Sequence, residues 1–99
     1  MSLPIFIDID GTLTMTGGEP WGEPCPERLQ RVRDLVAAGE EVVIWSGGGT
    51  AYARAFADKH GLEVMAVVGK PGLMVDDNPN LRPEQRLQTV LPEDFFHDC

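Results

Sequence analysis

Basic residues are scarce in this 99-residue chain: 8 Lys plus Arg stand against 16 Asp plus Glu, a formal charge of −8. A field of that sign repels polyanions, which argues against nucleic acid and anionic membrane surfaces as partners. Cysteine is scarcer still. The two present, Cys25 and Cys99, are far apart and neither belongs to a C-x-x-C pair, so the sequence supports neither a disulfide framework nor a zinc site. No apolar run approaches bilayer-spanning length, and no basic stretch followed by an apolar one opens the chain. The expectation is no membrane partner and a reduced, cytoplasmic setting. With no repeat, low-complexity tract or linker, residues 1–99 read as one domain, near the small end of what a single core stabilises.

What is present is an alternation of apolar runs and helical patterns. The run from Leu3 to Ile9 reads as a buried strand, being short, β-branched and closed by Gly11. A Gly- and Pro-rich flap follows over about 12–24, where Gly17-Gly18 could turn a small hairpin. Helix one is expected from Pro26, with Leu29, Val32, Leu35 and Val36 on one face and Gly39 as its stop. Arg28, Arg31 and Arg33 read as its wet side. Glu41 to Trp45 is the second strand, followed by Ser46-Gly47-Gly48-Gly49. Thr50 can cap helix two, from Ala51 to about His60, with Tyr52 and Phe56 inward. Glu63–Val68 and Leu73–Val75 are expected as strands three and four, and Gln88–Leu91 as an edge strand ended by Pro92. His60 and His97 take no role. The order argues for a three-layer, Rossmann-like parallel α/β sheet.

In such sheets ligands gather beyond the carboxyl ends of the strands. Asp8 and Asp10 follow strand one, Ser46 strand two, Lys70 strand three, and Asp76 with Asp77 strand four. Two unneutralised carboxylates two residues apart repel each other, and a cation between them, most simply Mg²⁺, relieves that. A carboxylate can attack phosphorus, and a second acid can protonate the leaving oxygen. Ser46 and the N–H groups of Gly47 to Gly49 can cradle an anion, and a Lys adds a point charge. Thr12 either backs up Asp10 or closes the loop. Trp21 either packs on the core or overhangs the site and touches the substrate.

Asp8-Ile9-Asp10-Gly11-Thr12-Leu13-Thr14, Val43-Ile44-Trp45-Ser46, Lys70-Pro71 and Val75-Asp76-Asp77 together resemble the four ordered motifs of the haloacid dehalogenase superfamily. The resemblance implies a nucleophile at Asp8, an acid/base at Asp10, a phosphate-binding Ser46 and a phosphate-orienting Lys70. It implies Mg²⁺ held by Asp8, the main-chain carbonyl of Asp10, and Asp76, with Asp77 nearby. Gly47, Gly48, Thr12 and Trp21 complete the expected substrate contacts. No insert large enough for a cap domain exists, so the expected enzyme is a capless phosphatase acting on a small phosphorylated substrate. A partner subunit could serve as its lid. The link from Val68 to Leu73 is too short for a helix, whereas a parallel crossover takes about a dozen residues. Either an extended return replaces the helix or strand three is shorter.

Other readings compete. A polynucleotide 3′-phosphatase or phosphoprotein phosphatase would use the same site, and an idle module of this fold would keep the residues without turnover. A receiver domain is opposed by motif order, since Lys70 precedes the second acid pair. A dinucleotide-binding protein is opposed by Gly47-Gly48-Gly49, which lacks G-x-G-x-x-G spacing.

Overall fold

The computed structural model describes residues 3–15, 22–77 and 89–96. Among them are three strands, β1 (Ile5–Asp8), β2 (Val42–Ser46) and β3 (Ala66–Gly69), and three helices, α1 (Pro26–Ala37), α2 (Thr50–Lys59) and α3 (Pro92–Phe96). The strands form one parallel sheet in the order β1-β2-β3. It is a small α/β domain, compatible with a Rossmann-like arrangement.

Two same-handed crossovers that step in one direction put their helices on one face. Accordingly Ile7, Ile44 and Val67 share a core with Val32 of α1 and Phe56 of α2. The alternate residues Phe6, Val43, Trp45 and Val68 turn to the opposite face, as strand geometry requires. Val43 on that face is buried and Phe6 is 43% exposed.

Both helices start and stop where the sequence predicts, within a residue. Pro26 occupies the first turn of α1, and Leu29, Val32 and Leu35 are its buried stripe. Gly39, at φ +87°, reverses the chain while its N–H and that of Glu40 bond the last carbonyls of the helix. Gly61 at φ +62° follows α2 in the same way. Thr50 does not cap α2; its Oγ1 accepts the Gly69 N–H at 2.8 Å and so ties the helix start to β3.

Four further expectations are corrected. Residues 73–75 form no strand: Leu73 and Val75 are 82% and 95% exposed. Four residues from Gly69 to Leu73 span at most roughly 14 Å. Lying beside β1 would need about that much lateral travel across three strand spacings, plus a return along the strand. Residues 89–91 are likewise not strand, and Pro92 opens α3 instead of ending an edge strand; Gln88 lies outside the described residues. Arg28 is not on the wet side of α1 but 8% exposed. Cys25, fully buried before α1, is disulfide-bonded; distance in sequence does not forbid a cross-link that the fold closes.

The ends of the flap pair: Met15 donates to the Glu23 carbonyl at 2.7 Å and Cys25 to that of Leu13 at 3.0 Å. Gly17-Gly18 and Trp21 lie outside the described residues, as does His97. No helix among the described residues is long and apolar enough to cross a membrane.

Candidate active site

Asp8 is the last residue of β1, and the loop after it is wound around one atom. The Ile9 carbonyl accepts the N–H groups of Thr12, Leu13 and Thr14 at 2.8–3.1 Å. Gly11, at φ +80°, makes that winding accessible. Buried Ile9 and Leu13 anchor the turn from below, which leaves Asp8, Asp10 and Thr12 on its upper side. From α1, Arg28 Nη1 donates to the Thr12 carbonyl at 2.8 Å, and its guanidinium lies over the Phe96 ring at 5.1 Å. The sequence reading missed this brace. Its signal was there: Arg28 precedes Val32 by four and Leu35 by seven, which puts it on the inward stripe.

Each carboxylate is held by a different element. Lys70 Nζ stands 3.2 Å from Asp8 Oδ1, and the Thr12 hydroxyl donates to Asp8 Oδ2 at 3.2 Å. Thr12 therefore supports Asp8 rather than Asp10. Asp10 Oδ1 instead accepts the Tyr52 hydroxyl from α2 at 2.8 Å, a second contact missed in the sequence, where Tyr52 counted only as an inward apolar ring. The Tyr52 ring lies against Gly48, where a Cβ would come within 2.8 Å of Cδ2.

Ser46 ends β2 and is 1% exposed. Its Oγ accepts the Gly48 N–H at 3.0 Å, and its carbonyl accepts Gly49 N–H at 3.2 Å and Lys70 N–H at 2.8 Å. Two of the three N–H groups expected to cradle an anion are thus given to Ser46 itself. The Ser46 hydroxyl proton and the Gly47 N–H are what the turn offers an incoming anion.

Lys70 reaches Asp8 because β3 ends at Gly69, opposite Ser46 in register. Gly69 is needed there: a Cβ would meet Thr50 N at 2.9 Å and Gly49 Cα at 3.0 Å. The ammonium also sits 5.7 Å from the Trp45 ring centroid. The Lys70–Asp8 pair is part-exposed, so its worth is positional more than energetic.

The sheet thus brings Asp8, Asp10, Thr12, Ser46 and Lys70 to its carboxyl end. Asp76 and Asp77 follow the exposed segment after Lys70, where no strand forms. Among the described residues no three His, Cys, Asp or Glu side chains gather as metal ligands would. The chain matches no family model, no curated protein and no solved structure, so the reading of this site rests on its own residues.

Proposed function

We propose that this chain is a small, capless hydrolase of phosphate monoesters, of the haloacid dehalogenase type, acting through an aspartyl-phosphate. One observation carries the reading: a strand-end carboxylate, Asp8, is flanked by an ammonium and a hydroxyl, with a second carboxylate two residues on, separately held by Tyr52.

Asp8 attacks phosphorus while the bond to the leaving oxygen breaks, and Asp10 gives that oxygen a proton. Water then attacks phosphorus, Asp10 takes its proton, and the Asp8–phosphorus bond breaks to release phosphate. Lys70, beside Asp8, meets the negative charge of the phosphoryl group, and Ser46 donates its hydroxyl to a phosphoryl oxygen. Tyr52, by occupying Asp10 Oδ1, leaves Oδ2 as the oxygen that carries the proton.

The donor set fits a hard divalent cation: two carboxylates close in sequence meet one ammonium, and the uncompensated charge calls for a cation. Asp8 and the main-chain carbonyl of Asp10 would hold Mg²⁺, with Asp76 and Asp77 as the further carboxylates. Bound there, Mg²⁺ supplies neutralisation of phosphoryl charge. A cytoplasmic setting belongs to the same reading.

The test is phosphate release from a panel of monoesters, with Mg²⁺ or with chelator, in wild type and Asp8→Asn. Metal-dependent release lost in the variant is expected. Equal release by Asp8→Asn would remove the nucleophile assignment. No release from any ester by wild type, alongside measured Mg²⁺ binding, would favour the idle module.

A further inference from the structure

From the geometry beside this site we infer the class of ester: the phosphate of an apolar alcohol, alkyl or aryl, and not a sugar phosphate. The inference rests on the phosphatase reading for its polar end and on a separate apolar groove for the rest.

The groove has a volume of about 470 Å³ and opens on Asp8, Thr12 and Lys70. Side-chain alternation along β1 puts Phe6 on the same face as Asp8, so one wall runs without a break into the carboxylate. Phe6 meets Trp45 edge-to-face at 4.8 Å and 71°, yet keeps 43% of its surface exposed. The opposite wall is Val90, Leu91 and Phe95. Beyond the polar end, Thr89 is the one polar side chain among the described residues lining the groove.

That composition selects. A polyhydroxylated leaving group would surrender its hydration here and find almost no partners. An alkyl or aryl group would replace water on both walls, while its phosphate stays with Lys70 and Ser46. The Lys70 ammonium sits where the apolar wall ends, so one molecule, charged at one end and apolar at the other, matches both halves.

Hexyl phosphate and glycerol 1-phosphate both leave as primary alkoxides, so they ask similar chemistry of Asp10 and differ in the body the groove must hold. Each methylene buried is worth about fourfold, and kcat/KM for the hexyl ester should exceed the glycerol ester by at least about tenfold. In Phe6→Ala and in Leu91→Ser that ratio should fall towards one, chiefly through KM for the hexyl ester; Leu91 is exposed enough that Ser leaves the fold intact. Equal use of the two esters by wild type, or a ratio untouched by both variants, overturns the inference. Binding of hexylphosphonate against methylphosphonate, measured by calorimetry, separates the two layers of the argument. No turnover with tighter hexylphosphonate binding that both variants weaken would keep the groove and remove the phosphatase. Equal binding would remove the groove whatever the enzyme does.

Discussion

The chain carries two acid pairs at the ends of apolar runs, and they meet different fates. Asp8 and Asp10 follow a strand locked in register with β2, and donors from Thr12, Lys70 and Tyr52 hold them. Asp76 and Asp77 follow Leu73-Met74-Val75, which is just as apolar but stands exposed with no strand formed. The difference is not in residue type. A strand needs a partner edge and enough chain to reach it; one helical crossover through α1 joins β1 to β2, while residues 70–72 are too few for another. Placement of a carboxylate is a property of register and connection length, and composition alone does not supply it.

Substitutions at the two pairs test that comparison most directly. Asp8→Asn should cut turnover by about 10³-fold or more, and Asp10→Asn by about 10²-fold or more, each with an unchanged melting curve. Asp76→Asn should act mainly on the Mg²⁺ concentration needed. Turnover lost equally at Asp76 and Asp8, at saturating Mg²⁺, would break the contrast.

Gly69→Ala should destabilise by about 3 kcal/mol, the upper end of overpacking, because the clash is with the backbone of Gly49 and Thr50 and not with a flexible side chain. A denaturant midpoint within error of wild type would mean that β3 and the start of α2 are not so closely joined. Arg28→Met keeps the stem but removes the donor to the Thr12 carbonyl. It should cost about 2 kcal/mol, whereas the same change at exposed Arg31 should cost little. Equal effects would return Arg28 to the surface.

Tyr52→Phe should cost about 1 kcal/mol or less in stability but lower kcat/KM more for an alkyl than for a nitrophenyl phosphate. The nitrophenolate leaves without a proton, so only the alkyl ester needs Asp10 well placed. A loss shared equally by both esters would make Tyr52 structural.

The smallest effect is at His60, where burial, then Lys59 and Arg33, lower the imidazole below its ordinary pKa. The unfolded chain then takes up the proton first as pH falls through about 6.5. Stability should therefore be full above that pH and decline below it, towards the folded-state value. His60→Gln should flatten that stretch of a stability–pH curve; an identical slope would assign it to other groups.

Much of this was legible beforehand. Leu29, Val32 and Leu35 at helical spacing, Pro26 before them and Gly39 after them define α1 from local chemistry alone, and α2 follows from Phe56 and Gly61 in the same way. The apolar runs around Ile7 and Ile44 define β1 and β2, and the polar residues at their ends mark the carboxyl face. Such signals survive in sequence because backbone preference and hydrophobic periodicity act within a few residues.

The tertiary structure decided what depends on distance through space. Lys70 became a partner of Asp8 only because β3 stops at Gly69 in register with Ser46. Thr12 turned to Asp8 and Tyr52 to Asp10 because the Ile9 turn and the start of α2 orient them. Arg28 was drawn inward by a carbonyl sixteen residues away, and the apolar groove behind Asp8 joins segments remote in sequence. The physical reason is common to all: a side chain's neighbours across a fold are set by register, crossover length and packing, and none of these is a local property of the chain.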